Sequence, residues 1–438
     1  MFPEPRIFSP DDPVFLAILG RADIDADIGP QVAGIIREVR TGGVAGLLAC
    51  VRRFDAPLPD LDALKVGAGE IAAARRQTGD DFLSWVKAAA ENVERFHRPQ
   101  VRRGYVLDDG DGVRLAKRVL PLARVGVYCP AGSAPLFSSI IMNVVPAKLA
   151  GVREIALAIP PERNGSVSPK MLAVAGLLGI EEIWRMGGAH AVAALAYGAG
   201  PVRRVDKIVG PGNAYVVAAK RQVFGAVGID TPAGPSEIAI IADSGADPGF
   251  VAADLLSQAE HGSGHEAGVV LTDSAELAQA VAEETQRRLS GLSRSAAARL
   301  ALSRHGAIFI VNDIEQALDV ANVLAPEHLE LMTREPARLL PRVVNAGAVF
   351  LGPWSPEPVG DYFAGTNHVL PTAGAARFAS SLGVADFQKD MSILEYTRER
   401  LRRTGPGIAL LARAEGLSAH AEAVQARLGE DPEIRDRQ

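Results

Sequence analysis

The sequence predicts an α/β protein made of two Rossmann-like, doubly wound units, with a helical N-terminal region and an extended helical C-terminal tail. Short apolar runs alternate with amphipathic stretches from Val125 onward, and the alternation restarts after Ser236-Glu237. The chain has 438 residues, 48% of them hydrophobic, and single cores stop growing at about 250–300 residues. Parallel strands need crossover connections, so this alternation implies parallel sheets covered by helices on both faces.

The N-terminal region, 1–124, carries apolar positions at helical spacing from Pro30 to Phe54, punctuated by Gly42-Gly43. A second helical run spans Asp80 to Phe96. Tyr105 to Val119 reads as a hairpin around Asp108-Asp109-Gly110-Asp111-Gly112. The first Rossmann-like unit, 125–235, takes strands at Val125–Tyr128, Glu154–Ile159, Glu182–Met186 and Val205–Val209. Helices at Ser138–Ala150, Pro169–Leu178, Ala189–Tyr197 and Ala214–Phe224 separate them. The second, 236–385, takes strands at Ile238–Ile241, Gly268–Thr272, Ala307–Val311 and Ala346–Leu351. Its helices are Pro248–Ala259, Ala275–Leu289 and Ile314–Leu324. After Asp386 the strands are expected to stop, and Gly407 to Leu428 reads as a helical tail of 386–438, the kind that packs on a partner subunit.

Composition narrows the function classes. The formal net charge is −6 with no long run of either sign, so nothing attracts a polyanion and no nucleic-acid partner is expected. No apolar segment approaches the roughly 20 residues that span a bilayer. The start Met1-Phe2-Pro3-Glu4 has no basic stretch before an apolar one, so a cytoplasmic location without membrane association is expected. Cys50 and Cys129 are too few and too far apart for a disulfide framework or a thiolate metal site.

Several stretches can carry chemistry. Ala325-Pro326-Glu327-His328-Leu329-Glu330 sets a carboxylate beside an imidazole, a pair able to serve two proton transfers. Gly210-Pro211-Gly212-Asn213 follows a predicted strand and opens a helix, where free amides favour an anion. Tyr128, ending the first strand of that unit, can offer its ring or hydroxyl to the same ligand. Gln258 and His261 share a face near a helix end, and His is a common zinc ligand whereas Gln is an unusual one. Gly360-Asp361-Tyr362 through Gly365-Thr366-Asn367-His368 follows the last strand, where ligands of open α/β sheets gather. Asp361 is a plausible oxygen ligand there and His368 a substrate contact. Glu415 and His420 lie five residues apart, about 500° around a helix. Each alone is more often an ordinary turn or surface residue.

Together these stretches resemble histidinol dehydrogenases, over almost the whole chain from Arg37 to Leu428. The motifs are Arg124-Val125-Gly126-Val127-Tyr128, Gly210-Pro211-Gly212-Asn213-Ala214-Tyr215-Val216, Pro232-Ala233-Gly234-Pro235-Ser236-Glu237 and Leu256-Ser257-Gln258-Ala259-Glu260-His261. They continue through Ala325–Glu330, Gly360–Tyr362, Gly365–Thr372 and Glu415–His420. The resemblance implies a zinc-dependent enzyme, one Zn2+ per subunit, that oxidises L-histidinol to L-histidine with two NAD through an enzyme-held aldehyde. It implies Gln258, His261, Asp361 and His420 as metal ligands, which also meet substrate. His328 would be the base for the alcohol and Glu327 the base for the hydrating water. Ser236, His368 and Glu415 would contact substrate, and Tyr128, His190 and Asn213 the cofactor. It also implies a homodimer whose tails cross, so that Glu415 and His420 complete the neighbour's site.

Three residues depart from that pattern: His190 where Gln is usual, Ala131 where the first Gly after Pro130 is usual, and Thr231 where Met is usual. Ala131 would restrict the loop beneath Tyr128 if that position required a positive φ. Cys129, beside Tyr128, invites a covalent route but lacks an adjacent base in the sequence. The alternatives are a paralogue oxidising another small alcohol such as a sulfonated diol, a cofactor-free metal hydrolase, and a nucleotide-binding protein without catalysis.

Overall fold

The computed structural model describes residues 4–20, 28–131, 134–231 and 234–429. Pro232 and Ala233 of the motif ahead of Ser236 lie outside the described residues. Two units emerge: a main unit of the chain up to Val101 with Leu122–Phe387, and a smaller one of Arg102–Pro121 with the chain from Gln388. No helix among the described residues is long and apolar enough to cross a membrane.

In chain order the strands are β1 (Arg6–Ile7), β2 (Tyr105–Asp108), β3 (Val113–Pro121), β4 (Arg124–Tyr128) and β5 (Glu154–Ile159). Then come β6 (Glu182–Arg185), β7 (Lys207–Val209), β8 (Gly228–Ile229), β9 (Glu237–Ala242) and β10 (Ala267–Thr272). The last are β11 (Gly306–Ile310), β12 (His328–Met332), β13 (Ala348–Leu351) and β14 (Gln388–Tyr396).

The first sheet of the main unit is parallel, in the order β6-β5-β4-β7-β8. Strand side chains alternate between faces, and the core divides accordingly. Val125, Val127 and Cys129 pack with helices Ser138–Ala150 and Pro169–Leu177. Tyr128, Ala156 and Ala158 pack with helices Gly29–Phe54, Gly188–Tyr197 and Ala214–Val223. The long N-terminal helix is therefore a layer of this sheet. It breaks at Gly43, at φ 54° and ψ −128°, where the Gly42-Gly43 punctuation was read.

The second sheet is also parallel, in the order β1-β11-β10-β9-β12-β13. Helices Pro13–Leu19 and Ile314–Leu324 pack on one face, and Pro248–Ala259, Ala275–Leu289 and Ser295–His305 on the other. Expected strands in both sheets recur within two residues of their predicted ends. Elements not expected include β1, β8, the helices Pro13–Leu19, Ser295–His305 and Glu357–Tyr362, and β12. The sequence of β12, His-Leu-Glu-Leu-Met, was not expected to form a strand, yet all five residues are buried. Central parallel strands are ordinarily continuous apolar runs. Here an imidazole and a carboxyl interrupt one.

The smaller unit corrects the expectation that strands end at Asp386. β14 pairs antiparallel with β3 over nine residues, from Gln388 opposite Pro121 to Tyr396 opposite Val113, and β2 lies on the other side of β3. The Tyr105–Val119 hairpin is thus the β2–β3 ribbon. Its third partner is about 270 residues distant in the chain, so no local turn signal announces it. The tail is two helices, Arg398–Ala414 and Ser418–Leu428, beginning before the expected Gly407 and running through Pro406.

Candidate functional site

A cavity of about 740 Å³ lies in the main unit. Tyr128, Gly188 and Asn213 enter it from the carboxyl ends of β4, β6 and β7, whereas Ser236 and Glu327 enter from just before β9 and β12. The rule that ligands meet the carboxyl ends of parallel strands holds for the first sheet only. The Glu327-His328 pair sits at the amino end of a strand in the second.

Local structure places that pair. Asp313 caps the helix Ile314–Leu324 by accepting from the Gln316 amide at 2.7 Å. The helix ends at Ala325, which is left-handed at φ 48°, and Pro326 cannot extend it. The chain then turns directly into Glu327 and β12. Gly347 closes against this turn: a Cβ there would lie 2.6 Å from the Glu327 carbonyl, so only glycine lets β13 approach.

Glu327 and Glu237 hold one another. The Glu237 amide donates to Glu327 Oε2 at 3.0 Å, and the Glu327 amide donates to Glu237 Oε1 at 3.2 Å. His328 Nδ1 lies 3.1 Å from the Glu237 carbonyl. A carbonyl only accepts, so Nδ1 carries the proton and Nε2 is the basic nitrogen. Burial, with His261 and His368 nearby, pushes the imidazole down to about 3. It is neutral, and therefore a base, at neutral pH.

His328 Nε2 lies 3.8 Å from Glu357 Oε1, a buried oxygen without a hydrogen-bond partner. Nitrogen and oxygen atoms of His328, Glu357 and Asp361 all fall within 4.8 Å of one another. Burial pushes Glu357 up to about 8, with Asp361 adding to it, and burial pushes Asp361 up to about 6. Glu357 was missed in the sequence, although its place four residues before Asp361 on one helical face was a usable signal.

Gln258 is fully buried, and neither amide atom has a partner. Its helix ends at Ala259, so His261 lies in the following turn rather than on the helix, with Nδ1 3.1 Å from the Gln258 carbonyl. His368 Nδ1 likewise lies 3.1 Å from the Asp361 carbonyl, and burial pushes this imidazole down to about 4. Both rings thus keep Nε2 as a free donor of a lone pair. His328, Glu357 and Asp361 are a group close enough to hold a metal ion, and the orphaned Gln258 amide and the His261 imidazole add donor types that suit zinc. Glu415 and His420 belong to the smaller unit. There Glu415 follows the helix Arg398–Ala414, His420 lies in the next helix, and both are exposed.

On the first-sheet side, the buried Tyr128 hydroxyl accepts from the Gly188 amide at 3.2 Å. His190 Nε2 lies 2.7 Å from Asp55 Oδ2, and its ring stacks on Phe54 at 5.9 Å between centroids. Asn213 caps its helix, accepting from Val216 N at 3.2 Å. The preceding loop is clamped: the Gly210 amide donates to Asp230 Oδ2 at 2.7 Å and its carbonyl accepts from Lys220 Nζ at 3.0 Å. Lys220 and Asp230 are themselves a buried ion pair. Gly210 has φ +111°, and a Cβ there would fall 2.1 Å from the Tyr128 carbonyl. Ala131 is not among the described residues with positive φ, so it does not strain the loop beneath Tyr128. Cys129 is wholly buried, and burial pushes its thiol far up, away from thiolate.

A family model described as histidinol dehydrogenase matches residues 20–428. The chain is 46% identical over 404 residues to the histidinol dehydrogenase of Heliobacterium mobile, covering 92% of this chain and 94% of that protein. To the histidinol dehydrogenase of Geobacillus kaustophilus (strain HTA426) it is 48% identical over 397 residues, covering 91% and 93%. The crystal structure of histidinol dehydrogenase from Elizabethkingia anophelis is similar at a TM-score of 0.89 and 37% identity, over 97% of this chain and 98% of that one. Nothing in these matches supports the sulfonated-diol alternative.

Proposed function

Because the chain belongs to the histidinol dehydrogenase family of NAD- and zinc-dependent oxidoreductases, we propose that it oxidises L-histidinol to L-histidine through the aldehyde. NAD, held by Tyr128, His190 and Asn213, would supply the hydride acceptor for both steps. When bound, zinc orients the substrate and polarises its oxygen, and Gln258, His261 and Asp361 would hold it with His420 from a second copy of the chain. His328 Nε2 takes the alcohol proton as the carbinol hydrogen leaves. Glu327 takes the proton of the water that hydrates the aldehyde, and the hydrate then gives up the second hydride.

The remaining groups bind and orient. Ser236, His368 and Glu415 contact the substrate, and Tyr128, His190 and Asn213 the cofactor. Tyr128, Pro130 and Leu370 are among the residues that line the cavity. The tail carrying Glu415 and His420 crosses to a partner in a homodimer, and the enzyme works in the cytoplasm. The observation that carries the mechanism is the mutual hold of Glu237 and Glu327 beside a His328 whose basic nitrogen is left free.

The test is to follow NAD reduction with L-histidinol and count NADH per substrate consumed. Two NADH per histidinol, abolished by chelation and restored by zinc, is the expected result. One NADH would mean that the aldehyde escapes. No turnover in protein that still binds zinc and NAD would overturn the reading.

A further inference from the structure

Asp55 follows the long helix Gly29–Phe54 and lines the cavity beside Tyr128, His190 and Asn213. Its Oδ2 accepts from the Gly187 amide at 2.8 Å and lies 2.7 Å from His190 Nε2. That leaves Oδ1 open. The side chain is 9% exposed, so the carboxylate is fixed from two sides before any ligand arrives.

The rest of the lining gives this one acid its meaning. Glu266 is occupied by the Ser263 and Gly264 amides, at 2.6 and 2.9 Å, and Glu327 belongs to the catalytic pair. No lysine or arginine is found among the described residues that line the cavity. Dinucleotide sites distinguish their two cofactors at the adenosine ribose. An acid accepts from the free hydroxyl of NAD, whereas an arginine receives the 2′-phosphate of NADP. A phosphate carries a charge of about −2 at neutral pH, and here it would meet a fixed carboxylate with no cation among the described lining residues to offset it, Arg53 lying over the Phe54 ring at 4.5 Å.

We propose that Asp55, braced by His190 and the Gly187 amide, is the residue that selects NAD over NADP. It accepts from an adenosine ribose hydroxyl and repels a 2′-phosphate. The assignment rests on reading Tyr128, His190 and Asn213 as the cofactor end of the cavity, and it gives His190 a second task, that of holding the carboxylate in place.

The test compares kcat/KM for NAD and NADP at saturating L-histidinol, in the zinc-loaded full chain and in Asp55→Asn and Asp55→Ser. The native protein should favour NAD by about 100-fold, the scale of one uncompensated like-charge contact. Asp55→Asn keeps an acceptor for the Gly187 amide and should shrink that ratio at least tenfold, mainly through a lower KM for NADP. A merely structural role would lower both cofactors together and leave the ratio unmoved. A ratio unchanged within about threefold, on a scale where 1.4 kcal/mol is tenfold, would overturn the assignment. So would comparable use of both cofactors by the native protein. Binding of ADP-ribose and of its 2′-phosphorylated form to the native chain, measured by calorimetry, needs neither turnover nor a variant. Equal affinities there overturn the assignment, and a clear preference for ADP-ribose supports it even if histidinol were not the substrate.

Discussion

The Glu237 amide donates to the Glu327 carboxylate at 3.0 Å while the Glu327 amide donates to the Glu237 carboxylate at 3.2 Å. Each glutamate thus fixes the other at the amino ends of the neighbouring strands β9 and β12, and the Glu237 carbonyl sets the tautomer of His328. Three polar groups arranged in this way leave Glu327 and His328 little freedom to wander. Glu327→Gln keeps the shape and removes the base. We expect NADH per histidinol to fall from two towards one, with oxidation of added aldehyde slowed by about 10²–10⁴-fold. An unchanged stoichiometry and aldehyde rate would remove Glu327 from the water step.

Acid and base behaviour without zinc follows from Glu357. Its folded pKa, about 8, lies above the ordinary value of 4.5, so its contribution to stability is complete below 4.5 and is lost as pH rises through 8. His328 and His368 are shifted the other way, to about 3 and 4, and cost stability only as pH falls below 6.5. Between pH 6.5 and 8 the carboxyl dominates. Chelated protein should therefore melt at lower temperature at pH 8 than at 6.5, and Glu357→Gln should flatten that slope. Glu330, raised by burial and by Asp254, acts in the same direction, so some slope remains. Added zinc should raise the melting temperature most at the higher pH, where Asp361 is ionised.

Replacing Lys220 by Met leaves Asp230 buried without its cation, a change that costs about 3–5 kcal/mol in such pairs. Urea denaturation reads it directly. Because the pair clamps Gly210, the KM for NAD should rise while that for histidinol stays nearly constant. Gly210→Ala should reproduce the KM effect, since its Cβ cannot coexist with the Tyr128 carbonyl at the present spacing. Equal changes in the two KM values would count against a role in shaping the cofactor loop.

Cys129→Ala should preserve both oxidation steps within about twofold, because a wholly buried thiol held far from its thiolate form is no nucleophile. Stability should fall by only about 1 kcal/mol for the small cavity left. Selective loss of the aldehyde step would revive a covalent route.

If the tail completes a neighbour's site, activity depends on association. Specific activity should drop as the protein is diluted through the dissociation range found by sedimentation, and His420→Ala mixed with Glu327→Gln should regain part of the activity through hybrid dimers. Full specific activity in the dissociated protein would sink the shared site.

Much of the fold was legible because local rules set it. The Val125–Phe224 alternation and the helices Pro248–Ala259, Ala275–Leu289 and Ile314–Leu324 appear where apolar spacing, Gly and Pro put them. The proposed catalytic pair and the suggested ligands were also visible, as motifs. β12 was not, since its imidazole and carboxyl break the apolar run by which a buried strand is recognised, and β14 was not, since its partner is remote.

By itself, then, the sequence determined the α/β alternation, the helix ends and the chemical inventory of Glu327, His328, Gln258, His261, Asp361 and His368, because propensity, capping and residue type act within a few neighbours. Tertiary structure alone decided that Glu237 braces Glu327, that Glu357 joins His328 and Asp361, and that Asp55 faces the cavity beside His190. Apart from Glu357 and Asp361, neighbours on one helix, those contacts join residues from 29 to 135 positions apart, and only the burial of whole sheets against their helices brings them within a few ångströms.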